Sequence, residues 1–272
     1  MLRRLIGLVL LGWLALAAPV FAQPAPADDG FANWAAVIVA GDWRAHGGGP
    51  SEVFDNARRD LAKALAADGF APDHIRQFSV REAGTGAGAP LKSDPDVIYD
   101  QLGQLTARAS AGCLVYFTSH GSPDGILVDE SIWPPGVMAA LVDQTCGQRP
   151  TVVVISACFS GVFAPALAGR NRMVLTAARA DRASFGCGQE DRYTFFDACV
   201  LGELASAHDF AALGVAVQRC VARRERALGA SPPSEPQLEV GLALRPVLPL
   251  YAFSRTRGDT RSAALSPRPP AP

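Results

Sequence analysis

Two stretches limit the possible folds more than anything else in the chain. Gly112-Cys113-Leu114-Val115-Tyr116-Phe117 and Thr151-Val152-Val153-Val154-Ile155 are strand-length runs with almost no polar residue, rich in β-branched and aromatic side chains. A run without polar and apolar alternation leaves neither face fit for water, so such a strand must be covered on both sides. Helices supply that cover when strands alternate with amphipathic segments, as they do here. Trp34 to Ala40 forms the first strand, and after Gly47-Gly48-Gly49-Pro50 Ser51 can cap a helix with Val53, Ala57, Leu61, Ala64 and Leu65 on one face, closing near Gly69. The pattern then predicts a strand over 75–80, a helix over 94–109, the strand at 112–117, a helix over 135–146, the strand at 151–155 and another at 172–176. Helices follow over 193–206 and 209–229. The expected architecture is α/β, a mostly parallel central sheet between helical layers.

The 272 residues are 49% hydrophobic with a net charge of −1, enough for one buried core. With 25 basic and 26 acidic residues and no basic run interleaved with aromatics, the chain carries no footprint for nucleic acid or an anionic membrane. A protein, peptide or small-molecule substrate fits better.

At the N-terminus Met1-Leu2-Arg3-Arg4 precedes an apolar stretch to Phe21 and small residues at Ala22, the pattern of a secretory signal peptide over 1–22. An uncleaved membrane anchor is the alternative, since the run approaches the roughly 20 residues that span a bilayer. Residues 23–33 read as a linker, 34–230 as the folded domain, and 231–272 as an extension ending in a Pro-rich tail. Export, periplasmic or secreted, changes the reading of the six cysteines, because an oxidising compartment permits disulfides. Cys113, Cys146, Cys158, Cys187, Cys199 and Cys220 contain no C-x-x-C pair, and only four histidines accompany them. The spacing therefore predicts no metal site and no cofactor, and leaves the disulfide pairing open. His46, beside three glycines, and His74 read as loop or surface residues.

The two strongest strands both end in reactive residue types: Tyr116-Phe117-Thr118-Ser119-His120-Gly121 and Val154-Ile155-Ser156-Ala157-Cys158-Phe159-Ser160-Gly161. Ligands of parallel α/β sheets bind beyond the carboxyl ends of the strands, so His120 and Cys158 share a crevice if these strands are neighbours. A cysteine beside an imidazole can act as a thiolate nucleophile, and the same imidazole can protonate a leaving amine.

The segments Val115 to Ser122 and Ala157 to Gly161 resemble the two catalytic motifs of the legumain-like cysteine peptidases, peptidase family C13 of the caspase-like clan, which includes the catalytic subunit of the GPI transamidase. Val39-Ala40-Gly41, Ser122-Pro123-Asp124-Gly125-Ile126-Leu127 and Leu175-Thr176-Ala177-Ala178 fall in the same order, so the resemblance spans Trp34 to His208. It implies a caspase-like three-layer α/β/α sandwich, Cys158 as nucleophile, His120 as general acid/base, and the backbone N–H groups of Gly121 and Cys158 as an oxyanion hole. Asp42 follows Gly41 where the family places a residue that orients the histidine. The resemblance matches Ser184 and Asp197 to substrate-pocket residues, whereas Val53 or Phe54 stands where an arginine is expected and Phe159 where an acid is expected. A pocket keeping Asp197 without a balancing arginine would favour a basic side chain. Hydrolysis of a peptide bond through a Cys158 acyl-enzyme is the expected reaction. Transfer of the acyl group to an amine is the alternative within the same chemistry, and a silent protein-binding module on the same scaffold is the alternative outside it.

Overall fold

In chain order the elements are β1 (Trp34–Ala40), α1 (Val53–Ala67), β2 (Ile75–Ser79), β3 (Leu91–Lys92), α2 (Pro95–Arg108), β4 (Gly112–Thr118), β5 (Gly121–Ser122), β6 (Gly125–Val128) and β7 (Ser131–Trp133). They continue with α3 (Pro135–Thr145), β8 (Thr151–Ser156), α4 (Ala164–Leu167), β9 (Arg172–Thr176), α5 (Phe195–Leu204), α6 (Phe210–Leu228) and β10 (Gln237–Val240). This computed structural model describes residues 30–81 and 88–254. The expected signal peptide, most of the 23–33 linker, part of the glycine-rich loop near Gly84 and the Pro-rich tail lie outside the described residues.

Seven strands form one sheet in the order β10-β9-β8-β4-β1-β2-β3, with every neighbour parallel except β10, which runs antiparallel to β9. The two apolar runs, β4 and β8, sit side by side near the middle, where both faces are covered. Ala36, Ile38, Leu114, Tyr116, Val152, Val154, Met173 and Leu175 face one side and pack with α1, α5 and α6. The residues between them, including Val37, Val39, Val115, Phe117, Val153 and Ile155, face the other side and pack with α2 and α3 through Ile98, Leu102, Leu105, Met138 and Val142. The result is the three-layer α/β/α sandwich expected from the sequence. Caps end the helices where hydrogen-bonding side chains allow: Asp94 accepts from the N–H of Asp96 and Val97, Thr194 from Asp197, and Asp209 from Ala212. Among the described residues no helix is long and apolar enough to cross a membrane.

The folded unit reaches further at both ends than the expected 34–230. Phe31, assigned by sequence to the linker, is 1% exposed and stacks on Phe70 and Phe253, with Trp34 and Phe210 edge-on. Beyond residue 230, β10 completes the sheet, and Leu244, Leu248, Tyr251 and Phe253 are buried in the same core. Isolated aromatics among polar and proline residues carry no periodicity, so their burial has no local signal. The hairpin strands β5 to β7 and the two-residue β3 likewise fall below the length at which alternation can be read.

Two disulfides staple helices to the core. Cys113–Cys146 ties the start of β4 to the end of α3, and Cys199–Cys220 ties α5 to α6. Cys158 and Cys187 are free. With sequence separations of 33 and 21, each closed loop removes chain entropy from the unfolded state worth about 3–4 kcal/mol. The Cys199→Ser/Cys220→Ser double variant is expected to lose about 3 kcal/mol of unfolding free energy, read from urea unfolding of the oxidised proteins.

Candidate active site

One row of the sheet sets the site. Ala40 in β1 pairs with Thr118 in β4, and Thr118 pairs with Ser156 in β8. Asp42, His120 and Cys158 each stand two residues beyond their member of that row, so three parallel strands deliver them to one edge. His120 and Cys158 leave adjacent strands, the condition under which the sequence placed them in one crevice. Gly121 seals the join: a Cβ there would run into the Cys158 carbonyl oxygen and come within 2.9 Å of the Ala157 side chain. Only glycine lets the two chain segments approach this closely.

The His120 ring is held by backbone. Its Nε2 lies 2.9 Å from the Arg44 carbonyl oxygen. A carbonyl only accepts, so the neutral imidazole keeps its proton on Nε2 and its lone pair on Nδ1, the form that can take a proton. Asp42, expected to orient this ring, lies 4.0 Å from Nε2, too far for a hydrogen bond. Its Oδ1 instead accepts from Trp43 N–H at 2.7 Å, Arg44 N–H at 3.1 Å and Arg44 Nε at 3.0 Å. Buried to 2% exposure, Asp42 shapes the turn that presents the Arg44 carbonyl and acts on His120 through it. The Phe54 ring stands edge-on to the imidazole, centroids 5.1 Å apart, and fixes its tilt. The position where the resemblance calls for an arginine thus holds a packing residue.

Cys158 is half-buried, and its Sγ accepts the Ser184 N–H at 3.3 Å with the Ser184 hydroxyl 3.6 Å away. The thiol in turn donates to the Ser184 carbonyl oxygen at 3.5 Å, so Ser184 brackets the sulfur with a donor and an acceptor. The next residue, Phe159, has φ +58°, a left-handed conformation that side chains other than glycine adopt at a cost. It is pinned there by its N–H, which donates to the Arg182 carbonyl at 2.7 Å. This sharp turn leaves the Cys158 N–H without an acceptor among the described residues. The Leu127 N–H donates to the His120 carbonyl, so Gly121 and Ile126 form a non-hydrogen-bonded pair and the Gly121 N–H points away from β6. Two free amides therefore border the sulfur's turn, the donor type that stabilises a developing oxyanion.

Ser184 touches the thiol directly, through its backbone as well as its hydroxyl. Asp197 does not line an open pocket. It is fully buried, and its two carboxylate oxygens accept from the Tyr116 hydroxyl and the Thr118 hydroxyl, each at 2.6 Å. Burial raises the carboxyl above the usual aspartate range, with the hydroxyl donors opposing that shift. The expected search for a basic partner rested on an unpaired carboxylate; these hydroxyls already satisfy it. Cys187, which sequence reasoning left without a role, is partly buried against Ala40, Val53 and Phe54, and burial pushes its thiol up to about 11. The Arg44 carbonyl, Phe54 and Cys187 were not legible as site residues: a carbonyl has no residue signature, and the other two read as ordinary apolar positions.

The arrangement brings an imidazole, a thiol and two backbone N–H groups to one edge of the sheet. Residues 89–212, which contain His120, Cys158 and Ser184, match the model of the Peptidase C13 family. Over that span the chain is similar to the legumain-like peptidases. Caspase-1 of Spodoptera frugiperda superposes with a TM-score of 0.58 at 14% identity, covering 83% of this chain and 94% of that one, a likeness of fold. No curated protein matches the chain. The family match supports a function of the cysteine-peptidase type, with protein as the substrate class.

Nitrogen NMR of labelled histidine is expected to report the Nε2–H tautomer for His120 in the native chain, and a mixture of tautomers in Asp42→Ala, where the Arg44 turn loses its acceptor. Asp197→Ala, which strands the Tyr116 and Thr118 hydroxyls in the core, is expected to lower the unfolding free energy by at least about 2 kcal/mol in a urea titration.

Proposed function

We propose that the protein is an exported cysteine endopeptidase that cleaves peptide bonds through a thioacyl intermediate on Cys158. The observation that carries this reading is the pairing of β4 with β8, which brings His120, with its proton held on Nε2, and Cys158 out of neighbouring strands. His120 takes the Cys158 proton on Nδ1, and the sulfur attacks the substrate carbonyl. The carbonyl oxygen becomes an oxyanion facing the N–H groups of Gly121 and Cys158. As the tetrahedral adduct collapses, the C–N bond breaks and His120 gives its proton to the departing amine. Water then attacks the thioester, delivering one proton to His120 and regenerating the thiol as the acid leaves.

Export is supported by the basic and apolar N-terminal sequence and by the two disulfides, which persist in oxidising compartments. The sealed environment of Asp197 withdraws the argument for a basic side chain at the cleavage point, so the preference must come from groups nearer Cys158.

Cleavage of a positional-scanning fluorogenic peptide library by the mature chain tests the reading. Turnover is expected in the native protein and a fall of at least about 1,000-fold in Cys158→Ala and in His120→Ala. Added amine nucleophiles are expected to leave hydrolysis the main outcome. No turnover with any peptide, together with no labelling of Cys158 by an electrophilic peptide probe, would sink the peptidase and favour the silent binding module.

A further inference from the structure

Three metal-ligating side chains from distant parts of the sequence converge beside the catalytic pair. A ring nitrogen of His46, a ring nitrogen of His120 and the Sγ of Cys187 all lie within 4.8 Å of one another. None of these pairs has a sequence spacing typical of zinc sites, which is why the chain gave no metal signature when read linearly. They are joined by structure: the His46 N–H donates to the Cys187 carbonyl at 3.0 Å, so the two loops that carry them are already tied together.

We propose that His46, His120 and Cys187 form a site for a zinc ion that reversibly shuts the proposed active site. Tetrahedral zinc, with nitrogen ligands at about 2.0–2.1 Å and sulfur at about 2.3 Å, places its ligand atoms roughly 3.4–3.7 Å apart. Each pair of atoms here is thus at most about 1.4 Å wider than that spacing. The movable member is His46. Its side chain is exposed, and it leads into Gly47-Gly48-Gly49, where Gly48 has φ +85° and an added Cβ would meet nothing at Gly47 or Gly48. Rotation of the His46 side chain can close the set without moving the sheet. Three protein ligands leave a fourth position for water, as in other open zinc sites. Two carboxylates stand nearby: Asp42, already paired with Arg44, lies 4.0 Å from His120, and Asp191 accepts from the Gly188 N–H next to Cys187.

On binding, a bond forms between zinc and the Cys187 sulfur, whose proton leaves to solvent, and each histidine donates one nitrogen lone pair without redox change. A neutral imidazole has a single lone pair. Once His120 donates it to zinc, none remains for the Cys158 proton, so metal binding and proton abstraction exclude each other. Cys158 is not in the ligand set. The site depends on the peptidase reading only for its consequence, not for its existence.

The experiment is a cobalt(II) titration of the purified chain carrying Cys158→Ala, followed by zinc competition. A thiolate-to-cobalt charge-transfer band that zinc removes is expected with Cys158 absent. The band should disappear in the Cys158→Ala/Cys187→Ser chain, and His46→Ala should weaken binding by at least about tenfold, since loss of a direct ligand costs no less than loss of an outer-shell partner. In the chain with Cys158 intact, zinc is expected to slow alkylation of Cys158 and to do so less in His46→Ala. The absence of a thiolate band with Cys158→Ala, or a band unchanged by Cys187→Ser, overturns the proposal. Neither result bears on whether the native chain cleaves peptides.

Discussion

The parallel pairing of β4 with β8 is the constraint on which the rest depends. Its register sets Thr118 against Ser156, and the two-residue exits that follow bring His120 and Cys158 to one edge. A slip of one residue would turn every side chain of one strand to the opposite helical layer. The burial of Leu114, Tyr116, Val152 and Val154 on one face and of Val115, Phe117, Val153 and Ile155 on the other therefore fixes the site geometry from a distance. Core packing and placement of the reactive pair are one physical fact.

Around that pair the chain uses backbone rather than charged side chains. The Arg44 carbonyl holds the imidazole, the Ser184 N–H meets the sulfur, and the amides of Gly121 and Cys158 have no acceptor among the described residues. Each of these groups is positioned by something else: Asp42 builds the Arg44 turn, the left-handed Phe159 turns the chain after Cys158, and the missing side chain of Gly121 admits the neighbouring segment. Preorganised dipoles of this kind need no reorganisation as charge develops, which is their advantage over mobile ionic groups. Asp197 belongs to the scaffold beneath this surface, where Tyr116 and Thr118 from β4 are tied to α5 through its carboxylate.

The cysteines divide by location. Four form the two disulfides that brace α3 against β4 and α5 against α6, away from the reactive edge. The remaining two, Cys158 and Cys187, are the ones nearest the site. Cys158 meets an N–H donor, whereas Cys187 sits among Ala40, Val53 and Phe54 and holds its proton strongly.

The central strands, the main helices and the pair His120 and Cys158 were legible because they rest on short-range patterns: unbroken apolar runs, 3.6-residue periodicity and motifs contiguous in the chain. The edges of the domain were not, since Phe31 and Phe253 are single aromatics whose partners lie far away in sequence. The role of Asp42 was half legible. Its position beside His120 follows from the strand it leaves, but its action through the Arg44 carbonyl is set by the tertiary structure. Disulfide pairing, the enclosure of Asp197 and the meeting of His46 with His120 and Cys187 were decided by tertiary structure alone. By itself the sequence determined which segments must be buried and which residue types end them, because hydrophobic patterning is local. Which loops then touch is set by how the buried segments pack, and that depends on contacts no local pattern records.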